Sequence, residues 1–181
     1  MKILPQIKKK FLTLLIDDFT DCGLISKLGT HWRGVSDKVM GGISEVKIFQ
    51  SVVHGVHSLR LTGDVCLENN GGFIQAVLDL SHSGDAIDVS NFTGLRLLVC
   101  GPIQEYAVHL RTTDNVRSWQ SYRSSFKVEP DWKTVDLPFC IFRPHRLKTP
   151  LDETRLRRIG LVAIGSAISV DLAVSRLELY R

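Results

Sequence analysis

No run in the 181-residue sequence approaches the ~20 apolar residues of a membrane-crossing helix, so no helical span is expected. A leader-like start is present only in outline. Lys8-Lys9-Lys10 precede Phe11-Leu12-Thr13-Leu14-Leu15-Ile16, but Asp17-Asp18 end that run after six residues and no small-residue cleavage site follows. A signal core needs roughly 7–15 apolar residues, so a first β-strand is the expected reading. Cysteine is sparse: positions 22, 66, 100 and 140 are far apart, with no Cys-x-x-Cys pair for zinc or redox work. Four reduced thiols, mostly buried, in a cytoplasmic protein are expected. Charge of one sign is also scarce. Lys plus Arg exceed Asp plus Glu by four (23 − 19), and the short runs Lys8–Lys10 and Arg155–Arg158 read as solvated surface, not as the basic stripe of a nucleic-acid reader.

Catalytic signatures are missing as well. The chain has no Gly-x-Ser-x-Gly elbow and no His-Glu-x-x-His pair. The spacing of His54 and His57 sends two strand side chains to opposite faces, which suits no shared metal. No catalytic residue, metal ligand or cofactor is assigned.

What the chain does have is apolar content, 44%, enough for a sizeable core in a single domain over residues 1–181, with residues 1–10 a flexible basic segment. Segments of five to ten residues separated by Gly, Asn, Asp or Pro read as strands: Phe11–Ile16, Glu45–Gln50, Val52–Thr62, Gly72–Leu80, Gly94–Cys100, Glu105–Thr112, Ser118–Val128, Lys133–Leu137, Ile159–Gly165 and Ser169–Tyr180. The expected fold is all-β, an antiparallel β-sandwich or jelly roll with at most one or two short helices. The clearest helix start is Thr149-Pro150-Leu151-Asp152-Glu153. Alternation puts Tyr106, Val108, Leu110 and Thr112 on one face and Ala107, His109 and Arg111 on the other. Trp119, Ser121, Arg123 and Ser125 oppose Gln120, Tyr122, Ser124 and Phe126, with a hairpin turn at Thr113-Asp114-Asn115. Likewise Phe73, Gln75 and Val77 oppose Ile74, Ala76 and Leu78.

Two glycine-rich clusters carry the densest signal. In Trp32-Arg33-Gly34-Val35-Ser36-Asp37-Lys38-Val39-Met40-Gly41-Gly42-Ile43-Ser44, the paired glycines permit positive φ and close backbone approach, and Asp37 and Ser44 are expected to hold a turn. Trp32, Val39 and Met40 are expected to fill the core. A phosphate loop is excluded by the missing Gly-Lys-Ser/Thr ending. The second cluster, Glu68-Asn69-Asn70-Gly71-Gly72-Phe73, announces a tight turn before a strand. Together the two resemble the conserved blocks of the complex I intermediate-associated protein 30 family. Phe92–Leu95, Tyr106–Thr112, Tyr122–Phe126, Trp132–Phe139, and Phe142 with Pro144 follow in the family's order, so the resemblance runs from about Asp17 to the C-terminus. It implies a galactose-binding-domain-like sandwich and structural roles for Trp32, Asp37, Met40, Gly41, Gly42, Ser44, Asn70, Gly71 and Gly72. Its eukaryotic members assemble respiratory complex I, which implies a protein partner, respiratory-complex subunits or intermediates. Two loops depart from the family pattern: Gly101-Pro102-Ile103 and Arg146-Leu147. A long Arg-rich leader is not seen, so mitochondrial import is not indicated. A structural calcium, as in some similar sandwiches, is a lesser alternative.

If neighbouring strands pair as the pattern suggests, Phe73, Gln75, His109, Arg111, Trp119 and Arg123 form one face of aromatic, amide and cationic groups. Trp119 suits a sugar ring or a protein anchor, and Arg111 and Arg123 suit carboxylate or phosphate. The leading expectation is a non-catalytic binding module holding a protein partner. The alternative is a carbohydrate-binding module, and an enzyme of unidentified type is the lesser one. Replacing Arg111 and Trp119 by Ala is expected to abolish capture with the thermal midpoint nearly unchanged.

Overall fold

The computed structural model describes residues 13–181. The Lys8–Lys10 run, segment 1–10 and the first two residues of the expected Phe11–Ile16 strand lie outside the described residues. Twelve strands follow one another: β1 (Leu14–Asp17), β2 (Trp32–Ser36), β3 (Glu45–Val53), β4 (Val56–Val65), β5 (Phe73–Asp79), β6 (Gly94–Cys100), β7 (Gln104–Thr112), β8 (Ser121–Val128), β9 (Lys133–Pro138), β10 (Arg143–His145), β11 (Leu156–Ile164) and β12 (Ile168–Tyr180). They form two antiparallel sheets. The first runs β3-β4-β12-β6-β9, with β1 also on β12; the second runs β10-β8-β7-β11-β5-β2. Helical content among the described residues is four single 3₁₀ turns, and no helix is long and apolar enough to cross a membrane. The expected helix at Thr149 contracts to the turn Glu153–Arg155, capped by Asp152, whose carboxylate accepts from the Thr154 amide at 3.0 Å.

The core lies between the sheets. Leu59, Leu61, Leu95, Leu97 and Leu172 from the first sheet meet Ile74, Leu78, Val108, Leu110, Tyr122, Ile159 and Leu161 from the second, all buried. Each such side chain contributes about 1.5–3 kcal/mol on burial. Two bulges keep this face apolar. On β12, Val170, Leu172 and Val174 point inward; the irregularity at Ser175 shifts the phase by one, so Leu177 and Leu179 do too. On β11 a bulge at Arg157 does the same between Leu156 and Ile159, and thereby turns Arg158 outward. Without it, period-two alternation from Leu156 would drive that guanidinium into the core.

Three expectations need correction. Residues 51–55 hold the β3–β4 hairpin, closed by a two-residue His54-Gly55 turn with φ of 47° and 78°, so the second strand begins at Val56, not Val52. Val39 and Met40 are exposed, at 73% and 54%: the 3₁₀ turn Asp37–Met40 spends its inward position on Asp37 and throws the next apolar pair outward. Of the cysteines only Cys100 is buried. Cys22 and Cys140, both exposed, fall on a bend and a 3₁₀ turn beyond the strands, and Cys66 is half-buried; all four are free thiols.

Candidate functional site

The two glycine clusters meet at one carboxylate. Asp37, wholly buried, accepts from the Ser44 amide (3.0 Å) and hydroxyl (2.5 Å), and from the Gly72 (2.5 Å) and Phe73 (3.3 Å) amides. Burial raises its proton affinity, but the Ser44, Gly72 and Phe73 donors outweigh that and hold Asp37 below the usual carboxylate range. The glycines make room for it. A Cβ on Gly42 would stand 2.3 Å from the carboxyl carbon, and one on Gly71 would stand 2.5 Å from an oxygen. Gly41 ends the turn with φ of 91°. Ser44 also receives the Cys66 amide at 2.9 Å, and the Asn70 backbone belongs to the 3₁₀ turn Glu68–Asn70. Trp32 is buried, its indole N–H donating to Asp17 at 2.8 Å. Asp37 therefore fixes where β5 begins and where the Val39–Met40 tip stands.

Both places border a groove of about 400 Å³ on the outer face of the second sheet. Strand register builds its floor in rows. Val77, Gly160, His109 and Arg123 stand side by side, as do Arg158 and Arg111, then Gln75 and Val162, then Phe73 and Ile164, while Asp79, opposite Arg158, lies beyond the groove's lining. A Cβ at Gly160 would come 3.0 Å from Gln75 Oε1, so glycine there lets the amide lie across the floor. All six residues singled out by the alternation, Phe73, Gln75, His109, Arg111, Trp119 and Arg123, line this one groove. Trp119 reaches it from the loop before β8, half exposed at 52%, not from the strand itself. Pattern reading missed Val39, Met40, Arg158, Gly160, Val162 and Ile164, which also line it. Residues 159–164 read as one apolar run, which hides the alternation that was its only signal.

The cations differ in their ties. The Arg111 guanidinium donates to the carbonyls of Asn115 (3.2 Å), Arg117 (3.0 Å) and Ser118 (3.3 Å), pinning the loop that carries Trp119. Arg158 pairs with Asp79 at 2.6 Å, a carboxylate shared with Arg33. Arg123 donates its Nε to Ser121 Oγ at 2.9 Å, and no carboxylate among the described residues pairs with it. His109 Nε2 is buried and has no hydrogen-bond partner among the described residues. Burial first, then the charges of Arg123 and His145, push His109 down to about 3, so it is neutral at pH 7. Among the described residues no group of three or more His, Cys, Asp or Glu side chains converges as a metal site. His54 and His57 are both exposed. Of the two loops that depart from the family pattern, Gly101 borders a separate hollow on the first sheet. The Arg146 carbonyl accepts from Gln120 Nε2 at 3.1 Å and so supports the groove's rim.

Solved structures share this architecture. The family 11 carbohydrate-binding module of a cellulosomal cellulase of Clostridium thermocellum superposes with a TM-score of 0.71 at 17% identity, over 93% of this chain and 94% of that one. The Clostridium thermocellum module in complex with a β-1,3-1,4-mixed-linked tetrasaccharide gives 0.71 at 17%, over 92% and 94%. A family 30 carbohydrate-binding module gives 0.66 at 16%, over 94% and 88%. At these identities the likeness establishes the sandwich fold. Among curated protein sequences none matches significantly. The family profile described as "Complex I intermediate-associated protein 30" matches residues 25–174, a span that holds both glycine clusters and every strand but β1, with only the end of β12 outside it. The chain belongs to the complex I intermediate-associated protein 30 family.

Proposed function

We propose that this chain is a non-catalytic binding module that holds a protein partner in the second-sheet groove, the partner being an intermediate of respiratory complex I assembly, as the family description suggests. One observation carries the reading: a preformed groove joins Arg123, a guanidinium with no carboxylate partner among the described residues, to an exposed rim of Val39, Met40 and Trp119. Exposed aliphatic and aromatic groups beside desolvated cations are the composition of an interaction surface. Among the described residues no carboxylate lines the groove, so it offers no acid–base pair of the glycosidase kind, and His109 holds its proton too weakly to serve as a general base near pH 7. The test is affinity capture from the native cell on the immobilised full chain, read by mass spectrometry beside Trp119→Ala. Respiratory subunits retained by the wild type and lost from the variant support the proposal. Their absence from both sinks it.

A carbohydrate reading is favoured by the half-exposed Trp119 and by the sandwich likeness to carbohydrate-binding modules, one of them described in complex with a tetrasaccharide. A glycan array probed with the same two proteins decides it. Hits that Trp119→Ala removes favour this second reading, and a blank array removes it.

A further inference from the structure

The groove has two chemically different ends. One end is cationic: Arg123 has no carboxylate partner among the described residues, and His109 Nε2 beside it is buried and unpartnered. The other is aliphatic: Val39, Met40 and Ile164 are 73%, 54% and 39% exposed around Phe73. A guanidinium left half-buried without an anion is costly, and the partner that relieves it is a carboxylate or phosphate held by paired N–H donors. An aliphatic rim gains only from aliphatic contact, and methionine adapts to varied shapes. A neutral glycan satisfies neither end fully. A flat anionic lipid surface does not reach guanidinium groups on a concave floor. A protein segment can present an aliphatic side chain beside an Asp or Glu and so satisfy both.

We infer that the groove docks a segment of the partner protein that carries an acidic residue next to aliphatic ones, the carboxylate on Arg123 and the aliphatic groups against Met40, Val39 and Ile164. The inference rests on the protein-partner reading and specifies its chemistry.

The experiment uses the full chain, immobilised, with a display library of random short peptides as the probe. The wild type is expected to enrich peptides that pair Asp or Glu with Leu, Ile, Val or Met. The best synthetic peptide, measured by fluorescence anisotropy, should bind at least about tenfold more weakly to Arg123→Glu and to Met40→Asp. Arg123→Glu should itself select Lys- or Arg-bearing peptides. Thermal melting confirms that each variant is folded, and Arg123→Gln stands in if the charge reversal does not fold. No enrichment, enrichment without acidic bias, or unchanged affinity in folded Arg123 variants overturns the inference. So does Arg123-dependent binding to phosphatidylserine vesicles without peptide selection. Respiratory subunits captured equally by wild type and Arg123→Glu overturn this docking chemistry while the protein-partner reading stands; glycan hits with no peptide selected overturn both.

Discussion

The outer faces of the two sheets handle charge in opposite ways. On the first sheet each arginine of the strands has a carboxylate within reach. Arg60 forks onto Asp171, Arg96 onto Asp136 at 2.7 and 2.8 Å, Arg176 meets Glu178 at 2.8 Å, and Lys133 meets Glu129 at 2.7 Å. Even the hollow over Cys100 on that side is closed electrostatically by the Arg60–Asp171 pair. On the second sheet, Asp79 serves both Arg33 and Arg158, Arg111 is spent on loop carbonyls, and Arg123 has no anion among the described residues. Paired charges across strands are what a solvated face settles into. A face that leaves one half-buried guanidinium, Arg123, without an anion among the described residues, beside exposed aliphatic side chains, suits the partner proposed above.

The contrast is tested most strongly where both faces depend on one residue. Asp37 joins the turn after β2, on the second sheet, to the approach to β3, on the first. Asp37→Ala leaves the Ser44, Gly72 and Phe73 donors unpaired and should cost about 3 kcal/mol, lowering the melting midpoint by roughly 6–12 °C in thermal unfolding. Because the folded protein holds Asp37 below its unfolded value, that stabilisation is present above the unfolded pKa and is lost as pH falls through the folded one. The gap between wild type and variant should therefore close below about pH 4. A gap unchanged by acid would show that Asp37 acts by shape alone.

Arg111→Ala should cost about 1–2 kcal/mol and loosen residues 113–120, seen as faster amide hydrogen exchange there, because three carbonyls lose their donor. This replaces the expectation of an unchanged midpoint and makes Trp119→Ala the cleaner probe of binding. Next comes the direct comparison of faces. Arg60→Ala should lose up to ~1 kcal/mol, whereas Arg123→Ala should change chemical-denaturation stability by about 0.5 kcal/mol or less in either direction while impairing partner capture. Equal stability losses at both sites would erase the distinction. At pH 7 the smallest effect belongs to His109, which is uncharged there in the folded protein, and it grows as the pH falls. Unfolded, it takes a proton near 6.5; folded, it resists to about 3. Between those values the unfolded chain binds more protons, so wild-type stability falls as pH drops, and His109→Gln should flatten that slope between pH 6.5 and 4.

Much of the fold was legible because strand alternation is a local signal. Tyr106, Val108 and Leu110 point to the core while His109 and Arg111 point away, as period two requires, and β6 matches its expected bounds residue for residue. Five of the six groove residues stand on strands where the same rule put them, and Trp119 reaches the groove from a loop. The rim was not. Val39 and Met40 read as core because they are apolar, and only the 3₁₀ turn around a buried Asp37 puts them outside. Arg158 read as solvated surface because a bulge leaves no mark in composition.

The sequence by itself determined the two-faced strands, the sandwich, the family and five strand residues of the groove face, Phe73, Gln75, His109, Arg111 and Arg123, since each follows from side-chain periodicity or a contiguous motif. Only the tertiary structure decided which cations have partners. Asp37 reaches the Gly72 amide across 35 positions, Arg60 reaches Asp171 across 111, and Arg123 reaches no carboxylate among the described residues. Charge compensation depends on which distant strands lie side by side, and hydrogen-bonded register, not local order along the chain, settles that.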